Sequence, residues 1–331
     1  MTRLRPLALA LALASGAALA GCDHVTTPDG PNLDDRFGPF VLVEPLAADR
    51  DAVDFAAGEG VTFTARFNKP TEWVLEIVGQ ESGAVRRITG LSRELNADNA
   101  RWRGRTTELP FFRAEAVTAT LSFPNEPDGA PTTDDVTVTT PRVYPGNVLA
   151  DFEGETDVFV GNFEFEFEGA GVTSEPAAGE GEQFYLLRGT DDVVNNFFAG
   201  LIDIRPEGRG VFAVPTTIPE DLYFNFMLRG YEDVDFTIAV IQLIVDANGT
   251  GQYELDRDTY VPFGDIPVDF SGWRLFSASF DALGLTEEQA GAVVGVRVVL
   301  ISDNNAQPSP PRQVAFGLDY VTFTAGGPLQ P

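Results

Sequence analysis

Residues 61–67 read VTFTARF, and this alternation decides the fold class of the chain. Apolar side chains occupy every second position, and threonine or arginine stands between them. Successive side chains of a β-strand point to opposite faces, so the spacing predicts a strand with one buried and one solvated face. Similar runs, separated by Gly, Pro, Asn and Asp, recur about every ten residues, and helix-period patterns are almost absent. We therefore predict an all-β protein.

The length of 331 residues is too great for one small sandwich and predicts two β-sandwiches. The first would cover residues 38–142, with separate strands at 61–67 and 73–78. Residues 143–147 would form a stiff linker, because Pro141 closely precedes this segment and Pro145 lies within it. The second sandwich would cover residues 148–326, followed by a tail at 327–331.

The N-terminus has the zones of a secretory signal peptide, with Arg3 and Arg5 before a short apolar run that ends in small residues. The run is too short to span a bilayer, which needs about 20 apolar residues. Residues 19–22 read LAGC and resemble the lipobox of bacterial lipoproteins. The resemblance implies that residues 1–21 are removed and that Cys22 carries diacylglycerol and further acyl chains such as palmitate.

The segment 22–37 has almost no apolar content and is predicted to be a flexible tether. A lipid on Cys22 would anchor the chain in the cell envelope, and we expect the outer membrane rather than the inner, with surface exposure.

Composition excludes several kinds of chemistry. Cys22 is the only cysteine and His24 the only histidine, so disulfides, thiolate metal sites and Ser-His-Asp catalysis are unavailable. The formal net charge of −28 disfavours nucleic acid as a partner. Lys69 is the only lysine among 50 acidic residues, which suggests adaptation to high salt, where charge repulsion is screened.

The first predicted sandwich has a recognisable order of aromatic strand, glycine turn, basic strand and Trp-x-Gly-Arg motif. Trp73, Gly83 and Gly90 are followed by Trp102 and the residues 103–105, RGR. This order resembles the immunoglobulin-like domain of flagellar hook-capping proteins and of many bacterial surface proteins. The resemblance implies a spacer or contact module without catalytic residues.

The second predicted sandwich opens on residues 151–154, DFEG, and closes on 318–323, LDYVTF. Between them lie residues 195–200, NNFFAG, and 272–274, GWR. These segments resemble the galactose-binding-like jelly rolls that serve as carbohydrate-binding modules. A lipid-anchored spacer before such a module also resembles the surface glycan-binding lipoproteins of bacteria that use polysaccharides.

Sugar-binding modules stack aromatic rings on pyranose faces and add amide or carboxylate hydrogen bonds. Two consecutive phenylalanines, Phe197 and Phe198, cannot both point inward from a strand. At least one ring is therefore exposed, or the segment is a loop. The candidate ligand-binding residues are Asn195, Asn196, Phe197 and Phe198, with Tyr231 and Tyr260 as outer possibilities. Trp73, Trp102 and Trp273 are expected to be core residues.

Three carboxylates would lie on neighbouring strands of the jelly roll: Asp151, Glu153 and Asp319. The family resemblance implies a structural calcium there, and oxygen ligands suit Ca²⁺. The alternative is that each carboxylate is solvated on a strongly acidic surface.

Together these patterns predict a lipid-anchored binding protein without catalytic residues, whose partner is a polysaccharide or a surface protein. One alternative is a structural or assembly lipoprotein that binds a protein partner. Another is a carboxylate-based glycanase or lyase, although no paired-carboxylate motif of jelly-roll glycanases is present.

A Cys22→Ser variant tests the anchor. We expect it to lose the lipid and to stay as unprocessed precursor, because the thiol is the atom that is acylated. Mass spectrometry of the N-terminal peptide and detergent partitioning measure this. An unmodified Cys22 in the wild-type protein would refute the anchor.

Overall fold

The computed structural model describes residues 36–154, 159–163, 167–191, 198–206, 210–302 and 312–331. The decisive alternation forms the first half of a 19-residue strand, Val61–Gly79. The sequence predicts two strands here, at 61–67 and 73–78, with Pro70 between them. That division is wrong. The register shifts between Arg66 and Thr71 and accommodates the proline within one continuous strand.

Seven strands form the N-terminal β-region (residues 40–142): β1 (Leu42–Ala48), β2 (Ala52–Asp54), β3 (Val61–Gly79), β4 (Val85–Leu95), β5 (Arg101–Trp102), β6 (Ala116–Ser122) and β7 (Thr132–Thr140). They form one sheet in the order β1-β3-β6-β7-β2, with β4 and β5 also paired to β3. The inward side chains of β3 pack into a core that includes Trp73 and Trp102, each 1% exposed. Both tryptophans are core residues, as predicted.

Two sheets form the C-terminal sandwich (residues 147–325). Its elements are β8 (Asn147–Ala150), β9 (Phe159–Phe163), β10 (Phe167–Thr173), β11 (Phe184–Asp191), β12 (Phe198–Arg205), β13 (Leu222–Gly230), β14 (Thr237–Val245), β15 (Thr259–Pro267), β16 (Gly272–Ser279), α1 (Glu287–Ala290), β17 (Val293–Ser302) and β18 (Arg312–Ala325). The six-stranded sheet has the order β10-β11-β18-β13-β16, with β8 on β18. The five-stranded sheet has the order β15-β14-β17-β12-β9.

The core of the sandwich lies between these two sheets. Alternate residues of β14 and β17, such as Ile241, Leu243, Val296 and Val298, face β13 and β18 across it. The all-β prediction is confirmed. The predicted domain boundaries and the immunoglobulin-like resemblance stay predictions.

The sequence predicts one helix, at 286–292, from a capping-box pattern of Thr286 and Gln289. The helix is present but short. Thr286 caps α1 by accepting from Gln289 N, and the Gln289 side chain accepts from Thr286 N, which confirms the capping box. Within the part of the chain that is described, no helix is long and apolar enough to cross a membrane.

An aromatic cluster joins the N-terminal β-region to the six-stranded sheet, and residues 40–331 form one compact unit. Phe111 stacks on Tyr144 with ring centroids 4.1 Å apart, and both rings contact Tyr320 edge-on. The Phe111 amide donates to Gly179 O at 2.8 Å. Trp273 is buried here rather than between the two sheets, and its Nε1 donates to Ala177 O at 2.9 Å.

Phe111→Ala tests this junction. Phe111 is 3% exposed, so truncation leaves a cavity and removes the stack on Tyr144. We expect the free energy of unfolding to fall by about 3–5 kcal/mol, measured by urea denaturation. Leu91→Ala is the control, because Leu91 is 69% exposed and its loss should change stability by about 0.5 kcal/mol at most. Equal effects of the two substitutions would contradict a structural role for the cluster.

Candidate functional site

The outward face of the five-stranded sheet carries a cluster of tyrosine and arginine side chains. Ile202 and Ile204 of β12 face the core, so Asp203 and Arg205 lie on the opposite face. Asp203 pairs in register with Arg297 of β17, which lies on the same face. We call this set, completed by Tyr253 and Tyr260, the tyrosine–arginine cluster.

Asp203 is the centre of the cluster. Its carboxylate is fully buried and accepts from Arg297 Nε at 2.7 Å and Nη2 at 2.8 Å. Arg205 Nη2 donates to the same carboxylate at 2.7 Å. The bidentate pair with Arg297 and the single charge-assisted bond from Arg205 fix the positions of both guanidinium groups. The buried charge is thus neutralised and its acceptor atoms are used.

The two tyrosines are held by the arginines. The guanidinium of Arg205 lies 3.6 Å from the ring centroid of Tyr253, and that of Arg297 lies 4.8 Å from the ring of Tyr260. The Tyr253 and Tyr260 hydroxyls are 2.8 Å apart, and Arg297 Nη2 donates to Tyr253 Oη at 3.1 Å. Both tyrosines are only partly buried, so the cluster presents fixed aromatic rings at the surface.

Tyr253 comes from the loop that connects β14 to β15. Asp246 shapes the start of this loop, since its carboxylate accepts from the amides of Asn248, Gly249 and Gly251. The dipeptide Asn248-Gly249 predicts a turn from the sequence, and the chain turns here with Gly249 at φ 74°. The loop brings Tyr253 back over the sheet to Tyr260.

Beyond the cluster, the same face is mostly apolar. Ile238 and Val240 of β14 and Leu201 of β12 are half-buried, and Gln242 lies beside Arg297 in the ladder. A partly exposed sheet face with aromatic and hydrogen-bonding groups at one end is typical of binding sites for small ligands.

The predicted loop is only partly covered by the structure. Asn195, Asn196 and Phe197 lie outside the described residues. Phe198 begins β12, and its backbone pairs with Ile301 of β17. The loop therefore leads into the same sheet that carries the tyrosine–arginine cluster.

Tyr231 lies elsewhere. It follows β13 of the six-stranded sheet, between the guanidinium groups of Arg188 and Arg229, each 5.7 Å from its ring centroid. Tyr231 thus follows a strand of the six-stranded sheet, and only Tyr260 shares a sheet with Phe198.

The three candidate calcium ligands mostly bind backbone amides. Asp319 is fully buried and accepts from the amides of Gly179, Glu180 and Tyr320 at 2.7–2.9 Å. Glu153 Oε1 accepts from the amides of Glu182 and Gln183 at 2.6 and 2.7 Å. Among the described residues, no group of three or more acidic, histidine or cysteine side chains is arranged to hold a metal ion. The calcium site stays a prediction.

These carboxylates hold a loop over the six-stranded sheet and create an acidic junction. Glu180, in this loop, is largely buried, and burial together with Glu153 and Asp151 raises its pKa to about 7. Burial likewise raises the pKa of Asp319 well above its usual range, although its three amide donors act in the opposite direction. Phe152 and Tyr320, beside these carboxylates, have positive φ angles of 62° and 43°.

Sequence reasoning missed Tyr253, Asp203, Arg205, Arg297 and Glu180. The segments IDIR (202–205) and VRV (296–298) did contain a signal, namely charged residues alternating with core residues. Which charged residues face each other depends on the pairing of β12 with β17, strands far apart in the chain.

No protein-family model matches this chain, and no curated protein matches it. Several solved structures are similar. One, described as a study of promiscuous specificity in carbohydrate-binding modules of the β-sandwich superfamily, is 12% identical, with TM-score 0.38, covering 86% of this chain and 98% of that one. A protein from a xyloglucan utilization locus of Bacteroides uniformis is 12% identical, with TM-score 0.37, covering 85% and 73%. A family 11 carbohydrate-binding module of Clostridium thermocellum, in complex with a mixed-linked tetrasaccharide, is 14% identical, with TM-score 0.34, covering 56% and 98%.

Glu180→Gln tests the acidic junction. The folded-state pKa of about 7 exceeds the usual 4.5, so the folded protein binds more protons and loses stability as pH rises through this window. Glu180→Gln has no ionisable group at this position, so the variant does not lose this stability as pH rises. We expect it to match wild type near pH 5 and to be more stable by about 2 kcal/mol near pH 8.5, in urea titrations.

Glu182→Gln is the control, because it removes the same charge from an exposed residue of the same loop. A stability difference for Glu180→Gln that does not change with pH would contradict the raised pKa.

Proposed function

We propose that this chain is a lipid-anchored envelope protein that binds a glycan through the outward face of its five-stranded sheet. The observation that carries the proposal is the tyrosine–arginine cluster, in which two partly exposed tyrosine rings are fixed by a buried carboxylate and two guanidinium groups.

Preorganisation supports this function. Binding orders side chains at a cost of about 0.5–1.5 kcal/mol for each that is immobilised. Tyr253 and Tyr260 are already held by the arginines and by each other, so stacking a pyranose on them orders little. Gln242 and Arg297 supply donors beside the rings, as sugar hydroxyls require.

The predicted loop would complete the site. Phe198 begins β12, and the same strand carries Asp203 and Arg205. At about 3.3 Å per residue, the seven steps from Phe198 to Arg205 span roughly 23 Å. That length suits an oligosaccharide better than a single sugar.

The anchor rests on the LAGC motif at residues 19–22. Lipidation of Cys22 would confine the chain to an envelope membrane, with the outer membrane as our expectation, and the acidic tether 23–37 would hold the folded part away from it. In this proposal the sandwich binds and carries out no reaction.

The test is a polysaccharide screen with residues 23–331, by glycan array and affinity gel electrophoresis. We expect Tyr260→Ala to weaken binding at least tenfold, about 1.4 kcal/mol, because one stacking ring is lost. Phe197→Ala and Phe198→Ala should also weaken it. Tyr231→Ala is the matched control, since Tyr231 is a partly buried tyrosine of the other sheet.

Three results would argue otherwise. No retention by plant, algal or host polysaccharides would favour a protein partner. Loss of binding in Tyr231→Ala but not in Tyr260→Ala would move the site to the six-stranded sheet. Release of reducing ends from a retained polysaccharide would indicate a glycanase.

A further inference from the structure

A cleft lies between the N-terminal β-region and the end of the C-terminal sandwich. Its volume is about 410 Å³, and it is lined by Arg105, by Arg142 and Pro145 of the connecting segment, and by residues 324–330. None of these residues belongs to the tyrosine–arginine cluster.

The arginines at this cleft lack anionic partners. Arg86 lies close enough to Arg105 for the two charges to interact. Within the described part of the chain, no carboxylate oxygen lies within 4.0 Å of the guanidinium nitrogens of Arg86, Arg105 or Arg142. Elsewhere in the N-terminal β-region, Arg66 and Arg87 each have a carboxylate at 2.6 Å.

One buried donor at the cleft, in Arg142, is also unused, and a second lies in Arg86, which is outside the cleft but close to Arg105. The Nε atoms of Arg86 and Arg142 are buried and have no hydrogen-bond partner among the described residues. Arg142 Nη1 donates only to Arg103 O, at 3.2 Å, and its guanidinium lies 5.5 Å from the ring of Tyr144. Buried donors are normally satisfied. Other buried Nε atoms also have no hydrogen-bond partner among the described residues, including those of Arg50, Arg113 and Arg229. Arg142 differs from them in lining a cleft beside a second arginine.

Gathering these cations costs free energy. Burial, and then the neighbouring Arg105, lowers the pKa of Arg86. Carboxylates are not scarce, because the chain has 50 acidic residues against 22 basic ones. Exposed arginines such as Arg101 and Arg103 also lack a carboxylate partner among the described residues. Arg105 and Arg142 differ in lining one cleft together, where an anion from outside can reach both.

We propose that this cleft binds a compact oxyanion, the carboxylate or sulfate group of an acidic saccharide. Guanidinium groups match both anions through paired hydrogen bonds. The net negative charge of the protein repels long polyanions, but this repulsion is screened beyond about 8 Å at physiological salt. A single anionic group held at short range avoids most of it. The cleft is separate from the glycan face, and only the saccharide part of the proposal rests on the proposed function.

Because the cleft is lined by the N-terminal β-region and by the C-terminal segment, a bound anion would stabilise the folded protein. A ligand that binds only the folded state raises stability with its concentration. Thermal unfolding is therefore a direct readout.

The test compares sodium sulfate, sodium glucuronate, glucose and sodium chloride, with the ionic strength of all solutions matched, on the mature chain with Cys22→Ser. We expect sulfate and glucuronate to raise Tm above the value in chloride, and calorimetric titration to give a saturable Kd. Glucose should have no effect. A response to sulfate alone would restrict the site to free inorganic anions and overturn the saccharide part of the proposal.

The variants are Arg105→Gln and Arg142→Gln, which should each weaken anion binding at least tenfold. Arg101→Gln is the matched control, since it removes the same charge from a neighbouring exposed residue outside the cleft. Arg105→Lys, which keeps the charge but not the paired donors, should weaken binding less than Arg105→Gln. Equal Tm values in sulfate and chloride, or equal losses in Arg101→Gln and Arg105→Gln, would overturn the proposal.

Discussion

Buried carboxylates need donors, and two of them organise the C-terminal sandwich. Asp203 is fully buried on the outward face of the five-stranded sheet and is held by Arg205 and Arg297. Asp319 is fully buried on the six-stranded sheet and is held by three backbone amides. The ion pairs of Asp203 fix two tyrosine rings. The amide hydrogen bonds of Asp319 fix the loop whose Gly179 carbonyl accepts a hydrogen bond from the Phe111 amide. Removal of either carboxylate would leave buried donors unpaired, a cost of about 1–3 kcal/mol for each.

The fold was predictable wherever a local pattern decides it. Alternation in residues 61–67 predicted the strand, and Thr286 with Gln289 predicted the helix start, because both depend on residues close in sequence. The continuity of Val61–Gly79 through Pro70 was not predictable, because a register shift that accommodates a proline depends on the partner strand. Trp273 was correctly predicted to be buried, but its place at the junction depends on Ala177, 96 residues away.

The candidate site was less predictable for the same reason. Tyr260 was identified as an aromatic residue of the second sandwich, yet its partners Tyr253, Arg297 and Asp203 become neighbours only when the sheet forms. Strand order also places Tyr231 on the other sheet, which no local pattern reveals.

The distribution of charge in the C-terminal sandwich indicates where its arginines act. Residues 148–331 hold 30 acidic residues and 8 arginines, and four of those arginines contact tyrosine rings. Arginine in this sandwich is thus concentrated at aromatic side chains.

The central claim is that the five-stranded sheet is the ligand-binding face. Hydrogen exchange of residues 23–331, with and without an oligosaccharide retained in the screen, tests it most directly. The account predicts slower exchange in peptides that cover 250–262 and 198–206, with no change in 228–233. Slower exchange confined to 228–233 would contradict it.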